Sequence, residues 1–360
     1  NKAGLIETVG SGEPRIDFLG NTKGALKLEP QRTNVIPYSE DFSNAAWILA
    51  DVTRTLNYGI TPEGLTNSVL ITEGSGNAQH RAYSSSSSSS SIHTLSAFVK
   101  NSNGSRQAYI DMGPVTGFFN FDTETMYSAL GTTSVEKWAN GWYRISITST
   151  SAFTPVATYL GLGNSNTETF QGNGTSSIEF FAPQLEQGSY ATSYIPTQGS
   201  TVTRVKDLCV NTVPENIVNE DEMTLYCEFE YLGGGDTIPI SVHNSSSSVI
   251  WLAINNNFTI YGANYYSGVF NGSSTSTTVL LPNTKYKVAY RTKSGDSVLY
   301  LDGILEASSN DAISNPNTLN KVELGSHWNG TNQNPNLKII DARCYNSGLS
   351  NSELAILTTI

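Results

Sequence analysis

A chain of 360 residues, 38% hydrophobic and only 14% charged, is long enough for two ordinary domains with cores of their own. Its 10% aromatic share, with 18 Tyr and 5 Trp, excludes a disordered polyelectrolyte and fits short strands joined by polar turns. A formal net charge of −11 argues against a nucleic-acid partner, which requires a basic stripe, and disfavours anionic membranes, whereas neutral glycans, read by stacking and hydrogen bonds, stay compatible.

Residues 1–25 carry Gly4, Gly10, Gly12, Pro14, Gly20 and Gly24 between short apolar pieces. This predicts a lead-in of one or two short strands packed on the module that follows. The chain opens at Asn1 inside such structured-looking sequence, which we read as a piece of a longer protein. Alternation then marks strands. Leu95, Ala97 and Val99 share one face over 94–100; over 142–148, Tyr143, Ile145 and Ile147 oppose Trp142, Arg144, Ser146 and Thr148. Asn103-Gly104, Asn140-Gly141 and Asn173-Gly174 are turn signals. The serine run 84–91 reads as a loop or edge strand. Residues 178–186 read as the last strand of a first module, with Pro183 and Pro196 suited to edges and connections because they cannot donate to a ladder. A boundary is expected between 201 and 219.

The pieces Leu28-Glu-Pro-Gln-Arg-Thr-Asn34, Tyr38-Ser-Glu-Asp-Phe42 with Trp47, Ala97-Phe-Val-Lys100, Gly141-Trp-Tyr-Arg144, Gln184-Leu-Glu186 and Thr192-Ser-Tyr-Ile-Pro-Thr197 recur in an order and spacing that carry a resemblance. Together, over roughly residues 1–207, they resemble a jelly-roll module common in bacteriophage virion proteins. That module is similar to the carbohydrate-binding modules attached to xylanases and glucanases. The resemblance implies entering and leaving strands side by side, which would set Arg32 near Glu186 or Asp207. Where such carbohydrate-binding modules often carry an acidic metal ligand, this chain has Phe181-Ala182-Pro183, so no metal is assigned.

The second module begins with a one-sided strand in which Leu225, Cys227 and Phe229 alternate with Tyr226, Glu228 and Glu230. Asp302-Gly303 predicts a tight hairpin, and Ile340, Ala342 and Cys344 are expected on one face of a strand over 337–345. Ser350-Asn-Ser-Glu353 reads as a capping box opening a short helix through Leu354 and Leu357. Leu299-Tyr-Leu-Asp-Gly303, Val322-Glu-Leu-Gly325 and the run from Asp341 to Leu349 resemble laminin-G-like, concanavalin-A-like sandwiches. Cys209, Cys227 and Cys344 are odd in number and read as small buried hydrophobes.

The expected fold is therefore all-β, two β-sandwich (jelly-roll) domains in tandem: a lead-in at 1–25, a first sandwich at 26–207 and a second at 208–360. No catalytic or metal-binding motif stands out. His80, His93, His243 and His327 lack metal-ligand spacing, and Glu228 with Glu230 read as solvated glutamates on a first strand, in a Glu-Phe-Glu run without the Glu-x-Asp-x-Glu spacing of glucanases on such sandwiches. Aromatic residues in polar loops are the better lead, since a ring beside amides suits a sugar face. These are Trp328 with His327 and Asn329, then Tyr265 and Tyr266, and Trp251 before them. The resemblances imply a non-enzymatic virion surface protein, from a tail fibre, tail tip or capsid appendage, that binds a host-surface glycan or other receptor. It would sit among other virion proteins, as a homo-oligomer, without cofactor, nucleic acid or membrane insertion. The alternatives are the glycan-binding half of a polysaccharide-degrading enzyme and a bacterial adhesin.

Overall fold

The computed structural model describes residues 1–10, 12–212, 222–244, 248–266, 269–311, 319–326 and 335–360. Apart from the terminal Asn1 and Lys2, the chain divides into one compact unit of Ala3–Thr8 with Arg32–Arg204 and another of Val9–Gln31 with Val205–Ile360. Strands dominate both. Among the described residues only the helix α1 (Asn351–Thr358) and a 3-10 turn, Ala139–Gly141, are helical.

The chain begins with β1 (Ile16–Asp17) and β2 (Ala25–Leu28), which belong to the second unit. The first unit then follows as β3 (Arg32–Asn34), β4 (Trp47–Ala50), β5 (Val52–Thr55), β6 (Val69–Glu73), β7 (Asn77–Gln79), β8 (Arg81–Ser85), β9 (His93–Asn103), β10 (Gln107–Asp111), β11 (Thr116–Asn120), β12 (Thr125–Tyr127), β13 (Gly131–Lys137), β14 (Tyr143–Ser149), β15 (Ala157–Gly163), β16 (Thr169–Gln171), β17 (Ser177–Gln187) and β18 (Val202–Arg204). Two six-stranded antiparallel sheets face each other, ordered β12-β11-β10-β15-β8-β4 and β13-β14-β9-β17-β6-β5. Leu95, Ala97 and Val99 of β9 and Tyr143, Ile145 and Ile147 of β14 point into the shared core, as alternation predicts. They meet Ala108 and Ile110 of β10 and Leu160 and Leu162 of β15 there. Between β13 and β14, Asn140 and Gly141 both take positive φ, 58° and 78°, which Asn and Gly tolerate best.

Pro183 lies inside β17, not at its edge. Phe181 pairs with Phe98 and Gln184 with Ser96, so Ala182 and Pro183 together oppose a single residue of β9. This β-bulge, with Ala182 at φ 51°, removes the need for a Pro183 N–H in the ladder. The sequence pieces that carried the jelly-roll resemblance close the outer side of the same sheet. Glu186, fully buried, accepts bonds from the Thr192 N–H (2.8 Å), the Thr192 hydroxyl (2.7 Å) and Gln184 Nε2 (2.7 Å), while Arg32 Nε lies 3.6 Å from its carboxylate. Asn34 Oδ1 accepts from the Ile36 and Leu185 N–H groups, and its amide donates to the Ile195 carbonyl. These residues are structural glue between β3, β17 and the 188–204 strap.

The second unit continues with β19 (Cys209–Thr212), β20 (Glu222–Tyr231), β21 (Thr237–His243), β22 (Val249–Ile254), β23 (Thr259–Tyr266), β24 (Val269–Val279), β25 (Thr284–Lys293), β26 (Ser297–Leu301), β27 (Ile304–Ser309), β28 (Lys321–Leu324) and β29 (Leu337–Tyr345). Its sheets run β1-β2-β29-β20-β25-β26-β27 and β19-β28-β21-β22-β23-β24, with a core that includes Leu225, Cys227, Phe229, Leu252 and Val288. The tandem all-β sandwich architecture thus stands, with two corrections. Of the lead-in, only Ala3–Thr8 pack with the first sandwich, where Ile6 joins Phe98, Trp142 and Phe181, whereas Val9–Gln31 belong to the second unit, so residues 26–31 are not part of the first. β2 pairs with β29, which turns Leu28 into the second core while Lys27 faces Asp17 and Glu29. Ile340 leaves the expected core face because a bulge opposite Glu228 and Phe229 shifts the register, so Leu337 and Ile339 point inward with Ala342 and Cys344. Asp302 and Gly303 form the β26–β27 turn at φ 49° and 84°. Ser350 caps α1 reciprocally with Glu353, and Leu354 is buried against Tyr226, Ala289, Val298 and Tyr300.

Candidate functional site

Strands β8, β10, β11 and β15 send every second side chain into the first core, so the intervening ones face the other side of their sheet. Register then assembles them. Tyr109 lies opposite both Phe118 and Gly161, and Asp111 opposite Thr116 and Tyr159. Tyr159 faces Tyr83, Gly161 faces Arg81, and Phe118 faces Tyr127. The result is one aromatic and polar face built from five strands.

Two glycines give this face its shape. A Cβ on Gly161 would stand 2.5 Å from the Tyr109 ring and 2.4 Å from the His80 carbonyl, and one on Gly163 would stand 2.7 Å from the Phe118 ring. Their absence of side chains lets both rings lie over β15. Tyr109, Phe118 and Asp111 form a buried floor, while Arg81, Tyr83 and Tyr159 are half-buried and Tyr127 is 51% exposed at the margin. The Tyr83 and Tyr159 ring centroids lie 5.4 Å apart, and the Arg81 guanidinium sits 4.2 Å over Tyr159.

Polar groups border the rings. Glu168 lies 3.7 Å from Arg81 and accepts from Gln79 Nε2 at 2.9 Å. Gln107 and Asn166 bond twice, side chain to side chain at 2.8 Å and Asn166 N–H to Gln107 Oε1 at 2.7 Å, which ties the 164–168 turn to β10. The Thr116 hydroxyl contacts the Asp111 carboxyl and stands 3.0 Å from Glu168 Oε1, while the Gly113 N–H donates to Asp111 Oδ1 at 2.9 Å. Burial pushes the Asp111 carboxyl up to about 6, with nearby Glu168 adding to the rise and the Thr116 and Gly113 bonds opposing it. Burial likewise pushes the Tyr109 hydroxyl above its ordinary value. Chemically, the face offers ring surfaces for C–H groups and amide, guanidinium and carboxylate groups for hydroxyls.

The residues expected from the sequence fare differently. His327, Trp328 and Asn329 lie outside the described residues. Trp251 is only 8% exposed; it belongs to a central strand, where Ala253, Ala263, Tyr261 and Tyr265 pack with it. This corrects the expectation of a ring in a polar loop, because Trp251 and the Tyr265-Tyr266 pair all sit within paired strands. Tyr265 shares the Trp251 face at 6.5 Å between centroids, and Tyr266, 38% exposed, points to the other side of β23. The three described rings therefore do not converge. Glu228 stands opposite Asp341 and Lys287, and Glu230 lies 3.6 Å from Lys338. Among the described residues no group of three or more His, Cys, Asp or Glu could hold a metal ion.

Sequence reasoning missed the first-unit face. One signal was present, the alternation of Tyr159, Gly161 and Gly163 with Leu160 and Leu162, since a strand that shows small residues on one face invites close approach there.

No protein-family model matches the chain, and no curated protein matches its sequence. Among solved structures, the chain is similar to the Ruminococcus gnavus IT-sialidase CBM40 bound to α2,3-sialyllactose, at 18% identity and a TM-score of 0.35, over 39% of this chain and 84% of that one. It is similar to domains LG4-5 of the mouse laminin α1 chain at 13% identity and a TM-score of 0.27, over 77% and 91% of the two chains. Sheep galectin-11 in complex with glycerol matches at 6% identity and a TM-score of 0.26, over 39% and 99%. Likenesses of this size carry no argument about function; the sandwich fold stands on the sheets themselves.

Proposed function

We propose that this chain binds glycans without transforming them, chiefly through the outer face of the β12-β11-β10-β15-β8-β4 sheet. The observation that carries the reading is the grouping of Tyr83, Tyr159 and Arg81 over a buried floor of Tyr109 and Phe118, beside the amides of Gln79, Gln107 and Asn166. A sugar ring has an apolar C–H face and an equatorial rim of hydroxyls, which such a face matches. A binding role fits better than hydrolysis. Asp111 and Glu168 are both engaged by the one Thr116 hydroxyl, which occupies the place between them that a scissile bond flanked by two carboxyls would need.

The setting we propose is the surface of a bacteriophage particle, a tail fibre, tail tip or capsid appendage, with a host-surface glycan as partner. The sequence pieces shared with virion jelly rolls support it. A few stacked rings give a single site of roughly micromolar to millimolar affinity, so attachment would draw on repeated copies, as a homo-oligomer among other virion proteins would supply.

Glycan-array screening followed by titration calorimetry tests the site. Tyr83→Ala with Tyr159→Ala should weaken binding of the best array ligand at least about tenfold, as expected for losing two stacking rings. Undiminished binding by that double variant removes this face from the proposal, and a parallel Trp328→Ala variant asks whether the second unit holds the site instead. Release of reducing ends from any bound polysaccharide would overturn the non-enzymatic reading.

A further inference from the structure

The Thr116 hydroxyl has one proton and two carboxyl neighbours. It contacts the Asp111 carboxyl and stands 3.0 Å from Glu168 Oε1. If both carboxyls are ionised, that proton serves only one of them, and the other faces a lone pair and a second negative charge. One added proton completes the chain: Asp111 donates to Thr116, and Thr116 donates to Glu168. The carboxyl that takes the proton is Asp111, because it is the buried one, whereas Glu168 has Arg81 at 3.7 Å and the Gln79 amide at 2.9 Å to support its charge.

We infer that a single proton held between Asp111 and Glu168 through Thr116 sets the charge of the first unit's outer face, and thereby which sugars it retains. This rests on the glycan-binding reading of that face. With the proton in place, Arg81 and Glu168 balance and the cluster is neutral. Without it the cluster carries one net negative charge beneath Tyr159 and Arg81. The other ionisable side chains facing Asp111 are Tyr159, its register partner on β15, and Tyr109, whose hydroxyl burial pushes above its ordinary value. A sugar that carries a carboxylate is therefore repelled once the proton leaves, and a neutral sugar is little affected. Burial raises Asp111 to about 6, which puts the change within mildly acidic solution.

Two measurements on the full chain test this. Carbon-detected NMR of labelled aspartate carboxyls should show Asp111 titrating near 6, and titration near 4 with the ordinary aspartates would overturn the inference. Calorimetry with matched glucuronate- and glucose-terminated oligosaccharides gives the binding consequence. From pH 5 to pH 7.5 the acidic ligand should lose roughly fivefold in affinity, the size of one like charge at partly screened range, while the neutral ligand changes by less than about twofold. Asp111→Asn, whose amide can donate to Thr116 in the same way, should abolish the slope. A slope that persists in Asp111→Asn, or equal slopes for the two ligands, overturns the inference. Absence of binding by any oligosaccharide sinks the glycan reading, and the carboxyl titration then decides the proton alone.

Discussion

Asp111 ties stability to pH as well as charge to the site. Its ordinary value is 3.8 and burial lifts it to about 6, so the native state keeps a proton that the unfolded chain gives up earlier. The associated stability is complete below about 4 and is lost as pH rises through the window to about 6. The loss is at most about 3 kcal/mol for a shift of this size. Asp111→Asn keeps the Gly113 and Thr116 bonds without the titration. It should melt with wild type at pH 3.5 and clearly above it at pH 7.5 in calorimetric scans; equal melting at both pH values would contradict the assignment. Arg32 shows a different kind of residue, one legible beforehand. Its expected place between entering and leaving strands sets it beside Glu186, whereas Asp207 pairs with Arg15 instead.

At the scale of elements, strands with clean alternation were legible and strands with bulges were not. β14, β20 and residues 94–100 of β9 keep period two, and their faces follow from the sequence alone. β17 and β29 each carry an extra residue that no local pattern announces, and this moved Pro183 to a strand interior and Ile340 off the core. The candidate face was hidden for a related reason: Arg81, Tyr109, Phe118 and Tyr159 come from four strands and meet only through register. Trp251 misled because polar residues flank the apolar run 249–254 and suggested a loop, although that run is itself a paired central strand. Gly161 tests how far strand β15 supports the site. A methyl group there meets the His80 carbonyl as well as the Tyr109 ring, and backbone cannot swing away. Gly161→Ala should cost about 1–3 kcal/mol by denaturant titration. It should also weaken glycan binding, because Tyr109 would be lifted from the floor. Wild-type stability and binding in that variant would show that the close approach has no consequence.

At the scale of the whole chain, the two units are not consecutive segments. Residues 32–204 form most of the first, but the second takes both Val9–Gln31 and everything after Arg204. The early segment supplies two strands. β2 covers the edge of β29 through Leu26↔Ile339 and Leu28↔Leu337, and Leu28 completes the core while its side chain packs where a Cβ on Gly325 would stand, 2.4 Å away. Glu29, almost fully buried, bonds Arg15 at 2.8 Å, and Arg15 in turn pairs with Asp207. A fragment of 205–360 therefore loses more than a tail: β29 becomes an open edge, Leu28 leaves a void, and Asp207 loses its cation. Open edge strands invite association with other chains, and removing a buried leucine alone costs about 2–5 kcal/mol. The fragment should be less stable than the corresponding unit in the full chain and should self-associate in sedimentation runs. Adding a peptide of residues 9–31 should restore the monomer and raise the melting temperature, since it returns the missing strands without any residue of the first unit. A fragment that is monomeric and fully stable without the peptide would show that β1 and β2 are ornaments on a sandwich already complete.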